Sequence, residues 1–526
     1  ALALLMVVAL AAGCQETPSS SSSSSGSTDD TSSSSSSSGG TTEIKADNSD
    51  VGYWVWSDEV KDEITEEVNL VGYLLGAPLD GTDAVDAKMN EMLKETINAT
   101  WELRYIGWGE NASKYPLVLA GGEDVDWIFC GTWNFYKQEA QKGAYKELTM
   151  EEIEKYCPRL YNILPEIAWK NARVDGKIYM LPTSCPDVLC GVTAIREDLR
   201  KKYNVPEVTK HSELGAYMQA ILENEPEMIP YNMDANFDLK GPFMGLMAEF
   251  GGHTSDLFNT TSGGAGIVYD FELERPELET LFDSPNIEAF TKAAETMKEW
   301  YDAGYINKDV FGNQVRSKES LTQGKSACGY GNSQDMQANI ATAATNGWEI
   351  TFVPVLNTEG HSAATAYAGN GAGIAANSKN PERAMMAMDL VMEEYDFNML
   401  AYYGIEGTNY IITEDEKIGL PEGVTSETNT YPADVAGFWF TNKNQFLPNE
   451  QWTDYYTDFR YNVLPNEILV QSVLAAFTMN YDNIKTEQAN VTAAYTQYGG
   501  PIFIGMVSDV DAAIAEFKTQ LETAGL

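Results

Sequence analysis

A tryptophan follows directly on a predicted strand in the amino-terminal third of the chain. Residues 125–129 (VDWIF) form a mostly apolar run of strand length, and residues 131–134 (GTWN) come immediately after it. Ligands of open α/β sheets bind outside the carboxyl ends of the strands. An indole ring at such a strand end can cover the C–H face of a sugar ring, and burial of an aromatic ring contributes a few kcal/mol. The spacing therefore favours Trp133 as a ligand contact, and packing of its ring in the core is the alternative.

A second tryptophan and two polar segments are further candidates. Trp439 lies within residues 437–440 (GFWF), where an additional aromatic wall and core packing are equally supported. Residues 369–373 (GNGAG) look like a phosphate loop, but no Lys-Ser or Lys-Thr pair follows them. Residues 234–238 (DANFD) alternate oxygen ligands, but Leu239 stands where a calcium loop needs glycine, so an Asn/Asp-rich turn is the better explanation. We therefore expect no metal site and no cofactor.

The composition argues against several classes of function. The 526 residues include 34 Lys and Arg against 78 Asp and Glu, which gives a net charge of −44. A surface this negative repels nucleic acid and anionic lipid. The three histidines stand far apart, and none of the six cysteines forms a CxxC pair, which argues against zinc and thioredoxin-like sites. Cys185 and Cys190 are close enough in sequence to form a disulfide, but buried free thiols are favoured for most of the cysteines after Cys14.

The amino-terminal segment has the composition of an export signal. Residues 1–13 are apolar, and residues 11–14 (Ala-Ala-Gly-Cys) resemble a bacterial lipobox, whose cysteine receives a diacylglyceryl group. Residues 15–43 contain two serine runs and cannot bury apolar surface, so we expect a disordered linker. The pattern predicts a lipoprotein signal peptide over residues 1–14 that is lipidated at Cys14. An ordinary secretory signal with an incidental cysteine is the alternative.

Short strands and helices alternate through the rest of the chain. Runs of strand length occupy residues 68–75, 101–108 and 125–129, and helical periodicity follows the first of them from Asp83. The alternation recurs in the middle of the chain and continues to a long helix that begins at Pro381. Strands interleaved with helices of this length are typical of an α/β protein with mostly parallel sheets.

Four segments, in order along the chain, resemble the family 1 extracellular solute-binding proteins of bacterial ABC importers. They are residues 84–129, residues 174–183 (VDGKIYMLPT) with 194–199 (AIREDL), residues 377–392 (NSKNPERAMMAMDLVM), and residues 402–410 (YYGIEGTNY) with the closing KTQLETAGL. The resemblance implies a two-lobed periplasmic-binding-protein-like fold of type II with a hinge and a ligand cleft between the lobes. Lobe 1 would hold residues 44–183 and 356–395, and lobe 2 would hold residues 184–355 and 396–526.

The resemblance also implies polar ligand contacts. In the family, the loop that follows residues 125–129 contacts the ligand, and a segment matching residues 327–332 often carries a tryptophan, which is missing here. Asp187 lies at the first lobe crossing, where an ordinary hinge carboxylate is equally supported. The predicted ligand contacts are Thr132, Trp133, Asn134, Asp187, Tyr330, Asn332, Tyr367, Asn370 and Trp439.

By this resemblance, the protein is expected to be the substrate-binding subunit of an ABC importer, a monomer without catalytic activity. It would capture a carbohydrate, in particular an oligosaccharide, and deliver it by hinge closure to the transmembrane permease subunits. Its expected location is the outer face of the cytoplasmic membrane, as in Gram-positive bacteria, held there by its lipid anchor alone. The scarcity of Lys and Arg disfavours an anionic ligand.

Three other functions stay open at this point. The first is a lipoprotein that binds peptides or other small solutes, and the second is an adhesin or sensor that shares the fold without taking part in transport. The third is a surface glycoside hydrolase, which needs two carboxylates about 5 to 9.5 Å apart. Spacing in sequence cannot identify such a pair among 78 acidic residues.

Overall fold

The chain divides into two units, each built from two stretches of sequence. Among the described residues, the first unit contains 56–186 and 367–447, and the second contains 187–366 and 448–526. The computed structural model describes residues 56–526 except 109, 122–123, 236–237, 258–263, 427, 473, 475–476 and 478–482. The predicted signal peptide, Cys14 and the Ser-rich linker lie outside the described residues, so those assignments stay predictions.

Two main sheets and ten helices of nine residues or more organise the described part of the chain. The strands of the sheets are β1 (Val68–Leu75), β2 (Ala99–Ile106), β3 (Trp127–Cys130), β4 (Leu181–Pro182), β5 (Gly191–Arg196), β6 (Ile229–Tyr231), β7 (Ser326–Asn332), β8 (Ile350–Pro354) and β9 (Gly371–Ile374). The helices are α1 (Thr82–Ile97), α2 (Asn111–Ala120), α3 (Leu214–Asn224), α4 (Gly241–Glu249), α5 (Asn286–Ala303), α6 (Gln337–Thr345), α7 (Pro381–Glu393), α8 (Tyr395–Tyr403), α9 (Lys485–Ala494) and α10 (Val510–Ala524).

Shorter elements connect these. The short helices are Asp58–Glu63, Tyr136–Gln141, Met150–Tyr156, Pro158–Ile163, Glu166–Asn171, Glu197–Lys202, Ser317–Thr322, Asp454–Asp458 and Gly500–Phe503, with 3-10 turns at His211–Glu213, Tyr367–Gly369 and Lys443–Gln445 and π-helical turns at Phe459–Ile468 and Tyr495–Gly499. The short strands are Arg173–Val174, Lys177–Ile178, Ser255–Asp256, Ile267–Tyr269, Glu279–Thr280, Ser362–Ala363, Ile411–Ile412, Ile418–Gly419 and Leu469–Val470.

The sheet of the first unit has the strand order β2-β1-β3-β9-β4. β1 pairs in parallel with β2 and with β3, so the carboxyl ends of these three strands lie at one edge of the sheet. Six of the eight residues of β1 are buried, as expected for a strand that is covered on both faces. Gly72 leaves room for the ring of Trp127, which a Cβ atom at this position would meet at 2.2 Å.

Both sheets are mixed, whereas the sequence pattern predicted mostly parallel sheets. In the first unit β9 runs antiparallel to β3 and β4. In the second unit, with strand order β8-β5-β7-β6, β5 runs antiparallel to β7 and β8. β5 and β9 are the first of these strands after the chain passes from one unit to the other, and no βαβ connection within a unit requires them to run parallel to their neighbours. The α/β class itself is confirmed.

Residues 396–447 pack in the first unit, whereas the predicted boundary assigned residues 396–526 to lobe 2. Phe397 and Phe440 are buried in the same hydrophobic core as the central strands of the first sheet. α8 begins only two residues after α7 ends, and it continues on the same core instead of leaving it. The chain crosses to the second unit after Leu447.

α7 is enclosed by the first unit, with every residue from 383 to 393 buried. Its charged side chains therefore form hydrogen bonds and ion pairs with other elements. Arg383 donates to carbonyl groups at the end of α1. Asp389 accepts hydrogen bonds from the backbone N–H groups of Arg159 and Leu160, and its carboxylate lies 3.1 Å from the Arg159 guanidinium. These bonds fix the position of α7 in the unit.

The core of the second unit is rich in phenylalanine. Phe243 of α4 lies 4.9 Å, between ring centroids, from both Phe290 of α5 and Phe503. Phe517 of α10 stacks on Phe290 at 6.1 Å. The carboxyl-terminal residues therefore complete this core.

The five cysteines within the described residues are buried and form no disulfide with one another, so Cys185 and Cys190 are not bridged. Among the same residues, no helix combines the length and the hydropathy needed to cross a bilayer. They also contain no group of three His, Cys, Asp or Glu side chains that could hold a metal ion.

A wall of three tryptophans as the candidate functional site

Three tryptophan side chains of the first unit lie against one another. The ring centroids are 6.2 Å apart for Trp108 and Trp133, 5.7 Å for Trp108 and Trp439, and 6.3 Å for Trp133 and Trp439. Trp108 is 52% exposed, and the other two side chains are partly buried. We call these three residues the indole wall. The wall is a continuous apolar surface that solvent reaches at Trp108.

The two strands that pair with β1 supply two of the rings. Trp108 stands two residues beyond β2, and Trp133 stands three residues beyond β3. Because both strands run parallel to β1, these rings lie at the same edge of the sheet. Phe129 of β3 supports the wall from below, with its ring 5.3 Å from the Trp439 ring and nearly perpendicular to it. This edge is where open α/β sheets bind ligands.

A close approach of two loops orients Trp133. A Cβ atom at Gly131 would lie 2.2 Å from the carbonyl oxygen of Gly369, so only glycine allows this separation. The backbone N–H of Thr132 donates to the Ala368 carbonyl at 2.9 Å. The Trp133 indole N–H donates to Asn370 Oδ1 at 3.2 Å. The ring of Trp133 is therefore held by the loop that precedes β9.

The third ring is held by its own loop. The Trp439 indole N–H donates to the Asp434 carbonyl oxygen at 2.8 Å, and the Trp439 carbonyl accepts from Lys443 Nζ at 2.9 Å. The N–H groups of Trp133 and Trp439 are thus both used within the protein, and these two residues offer ring faces to a ligand. No hydrogen bond from the Trp108 indole N–H reaches another described residue, which leaves that group able to donate to a ligand oxygen.

The predicted residues next to Trp133 differ in accessibility. Thr132 is partly buried and joins the preceding loop through its backbone. Asn134 is fully buried, and its Oδ1 accepts from Asn111 Nδ2 at 2.6 Å. The prediction of a direct ligand contact through Asn134 is therefore not supported, because its side chain braces the loop from below.

Asn370 and Tyr367 also lie in the first unit. Asn370 is 5% exposed, and its side-chain oxygen is engaged by Trp133. Tyr367 is partly buried against the core of the unit, and its backbone N–H donates to Asn171 Oδ1 at 3.3 Å. The structure thus brings Asn370 to the indole wall as a support for Trp133.

The remaining predicted contacts belong to the second unit. Tyr330 lies in β7 and is 3% exposed, and a Cβ atom at Gly241 would meet its ring at 2.5 Å. The predicted stacking role of Tyr330 is therefore not supported, because the ring is part of the core. Asn332 is partly buried, and its Oδ1 accepts from the Asp335 N–H at 2.7 Å. Asp187 is partly buried, and its carbonyl accepts from the Thr365 hydroxyl.

Charged groups close to the wall are engaged by the protein. Glu110 accepts from Lys114 Nζ at 2.9 Å, and this hydrogen bond lowers the pKa of Glu110. Lys443 is only 6% exposed and donates to the backbone of Trp439. The wall therefore suits a neutral ligand with apolar faces better than an anionic one.

Sequence analysis missed Trp108. It extended the second predicted strand to residue 108, which made this tryptophan a strand residue. The structure ends β2 at Ile106, and Gly107 separates the strand from the ring. The glycine after an apolar run was the available signal, since it places Trp108 at the strand end in the same way as Gly131 places Trp133.

Comparisons with known proteins agree with this architecture. Residues 87–413 match a family described as bacterial extracellular solute-binding protein, and residues 473–526 match a domain of unknown function (DUF3502). A carbohydrate ABC transporter substrate-binding protein of Streptococcus pneumoniae is 27% identical over 465 residues, which cover 86% of this chain and 87% of that protein.

Solved structures from Streptococcus pneumoniae share the fold. The N-glycan transport solute binding protein (NgtS) has a TM-score of 0.69 at 24% identity, covering 87% of this chain and 95% of that one. The same protein in complex with Man5GlcNAc has a TM-score of 0.62 over the same shares of the two chains. This likeness confirms the two-lobed α/β fold, and the family match covers more than half of the sequence. The chain belongs to the family of bacterial extracellular solute-binding proteins.

Proposed function

We propose that this protein is the substrate-binding subunit of an ABC importer and that it captures a neutral oligosaccharide on the indole wall. The observation that carries the proposal is the set of three tryptophan rings that meet where two parallel strands of a solute-binding fold end. Sugar rings carry apolar C–H faces that stack on aromatic rings, while their hydroxyl groups need separate polar partners. A curated relative is described as a carbohydrate ABC transporter substrate-binding protein, and a solved structure of the same fold contains Man5GlcNAc.

Import by this route needs membrane partners. We propose that the protein acts as a monomer, has no catalytic activity and delivers its sugar to the transmembrane subunits of an ABC permease. Ligand capture between the lobes by hinge closure, which the family resemblance implies, stays a prediction. A peptide or another small solute as ligand is the alternative that the binding experiment below decides.

We further propose that Cys14 carries a lipid that anchors the protein outside the cytoplasmic membrane. Its support is the apolar segment that ends in Ala-Ala-Gly-Cys, followed by a serine-rich tether. Cells grown with an alkyne-labelled fatty acid should incorporate the label into the wild-type protein and not into Cys14→Ala. Equal labelling of the two proteins would contradict the anchor without affecting the binding proposal.

Isothermal titration calorimetry tests the ligand class. The Cys14→Ala protein is titrated with a panel of neutral oligosaccharides, with the corresponding monosaccharides and with short peptides. We expect binding of one class of oligosaccharide, accompanied by quenching or a shift of tryptophan fluorescence. Binding of peptides with no response to any sugar would overturn the carbohydrate assignment, and release of reducing sugar during the titration would show enzymatic activity instead.

A further inference from the structure

A buried carboxylic acid lies behind the loop that carries Trp439. Glu393 is the last residue of α7 and is 2% exposed. Its Oε2 accepts from Asn442 Nδ2 at 2.8 Å, and the Ser184 hydroxyl is the second hydrogen-bonding group beside the carboxyl. A buried carboxylate that has two neutral hydrogen-bonding neighbours and no ion-pair partner is costly when it is charged.

The loop at residues 439–445 is fastened to the end of α7. The backbone N–H of Asn442 donates to the Met392 carbonyl at 3.0 Å, and Gln445 Nε2 donates to the Glu393 carbonyl at 2.8 Å. Lys443, in the same loop, donates to the carbonyl of Trp439. The position of the Trp439 ring therefore depends on how this loop sits on the helix end.

The charged groups around Glu393 do not balance the negative charge that its carboxylate would carry. The Arg159 guanidinium is shared by Asp389, at 3.1 Å, and Glu394, at 2.9 Å. No cation forms an ion pair with Glu393 in the part of the chain described by the structure. The titratable or charged groups on the elements packed around it include Asp389, Glu394, Arg159, Cys157, Cys185 and Lys443.

The proton affinity of Glu393 follows from these surroundings. Burial raises the pKa of Glu393 to about 8, and Asp389 acts in the same direction. The Ser184 hydroxyl, the Asn442 amide and Arg159 lower the pKa, but they do not outweigh burial. Glu393 is therefore largely protonated at neutral pH, and it loses its proton and becomes negatively charged as the medium becomes mildly alkaline.

We propose that Glu393 is a positioning residue for Trp439, which completes the indole wall while Glu393 is neutral. When Glu393 becomes charged, entry of water stabilises its carboxylate. The loop at 439–445 is displaced by this water more easily than the enclosed helix α7. Displacement of the loop moves Trp439 and weakens ligand binding. The effect on affinity rests on the proposed function, whereas the movement of Trp439 does not.

Fluorine NMR measures that movement without a ligand. The full chain with Cys14→Ala is labelled with 5-fluorotryptophan, and the Trp439 signal is identified by its loss in Trp439→Phe. Between about pH 6 and about pH 9.5, we expect the Trp439 signal to shift in a single titration step, while the Trp300 signal from the second unit stays constant. The midpoint should lie near the pKa of Glu393, about 8.

Three variants separate positioning from a merely structural role. Glu393→Gln keeps the shape of the protonated acid, so the Trp439 signal should stay at its neutral-pH position throughout. Glu394→Gln, the matched control on the adjacent residue, should titrate like the parent protein, since Glu394 pairs with Arg159 and not with the loop. Asn442→Ala removes the bond to Glu393, and its Trp439 signal should lie near the high-pH position at every pH.

The sugar identified by calorimetry provides the second measurement. The dissociation constant of the parent protein should rise several-fold from about pH 6.5 to about pH 9, and that of Glu393→Gln should change less than two-fold. A Trp439 signal that does not move with pH, or that moves equally in Glu393→Gln, would overturn the inference. If no sugar binds, the proposed function fails, and the NMR titration still decides the role of Glu393.

Discussion

The indole N–H groups of Trp133 and Trp439 both donate to acceptors within the first unit, which fixes the plane of each ring. Trp108 differs, because it is the most exposed of the three rings and its N–H reaches no acceptor among the described residues. Trp133 could be predicted from its place after a strand. For Trp439, a ligand contact and core packing were equally supported, because no periodic pattern ties its loop to the sheet. The accessible ring, Trp108, was missed when the predicted strand ran two residues too far.

Replacement of Trp108 tests the contribution of the exposed ring. Trp108→Ala should weaken oligosaccharide binding about 10-fold or more, which corresponds to roughly 1.4 kcal/mol of lost stacking and apolar contact. The free energy of unfolding should fall by only about 1 kcal/mol, because about half of the ring is exposed and the rest stacks on Trp133 and Trp439. Calorimetry and denaturant unfolding measure the two quantities.

The control for this variant is Leu117→Ala, at an exposed apolar residue on α2 of the same unit. It should bind sugar like the parent protein. Equal losses of affinity in the two variants would show that the indole wall has no special role in binding.

At the scale of the elements, the loops decide where the wall lies. The sequence predicted the strands and the helix at Pro381 well, since buried strands and long amphipathic helices leave strong hydrophobic patterns. It could not predict that the loop after β3 meets the loop before β9, because this contact joins residues more than two hundred positions apart. The antiparallel direction of β9 follows from the same long crossing.

The glycine at the loop contact provides a matched pair of variants. In Gly131→Ala the added methyl group would lie 2.2 Å from the Gly369 carbonyl oxygen, so the two loops must separate. We expect a loss of about 1 to 3 kcal/mol in the free energy of unfolding, and a loss of sugar affinity larger than this destabilisation alone explains. In Gly369→Ala the new methyl group meets nothing within 4 Å, and both quantities should stay close to those of the parent protein.

Denaturant unfolding and calorimetry at one pH compare these two glycine variants. A Gly131→Ala protein with unchanged affinity would show that the contact between the loops does not position Trp133 for binding.

At the scale of the whole molecule, the two units are built from interleaved stretches of one chain. The chain crosses between the units after Pro186, Ala366 and Leu447, whereas the predicted boundaries followed residues 183, 355 and 395. The prediction used the end of α7 as a boundary. The next fifty residues return to the same core through scattered aromatic residues such as Phe397 and Phe440, which carry no regular period. Residues matched to the domain of unknown function belong to the core of the second unit, where Phe503 and Phe517 pack on α5.

Buried titratable groups should make the two units respond to pH in opposite directions. In the first unit, folded Glu393 keeps its proton up to about pH 8, whereas the unfolded chain releases it near 4.5, so stability should fall as the pH rises through this window. In the second unit, His211 is 2% exposed, and burial lowers its pKa from 6.5 to about 3. The unfolded chain therefore binds a proton below pH 6.5 that the folded unit does not, and stability should fall as the pH drops.

Site-specific unfolding curves can separate these two responses. Fluorine signals of Trp439 and Trp300 report on the first and the second unit during urea unfolding at about pH 5, 7 and 8.5. At about 1.4 kcal/mol per pH unit, the first unit should lose roughly 4 kcal/mol from about pH 5 to 8.5, and the second unit roughly 2 kcal/mol from about pH 7 to 5. Glu393→Gln should flatten only the loss with rising pH seen at Trp439, and His211→Gln only the loss with falling pH seen at Trp300. If the curves of both reporters moved together in every variant, the units would unfold as one cooperative body, and these two buried groups would act on the stability of the whole chain.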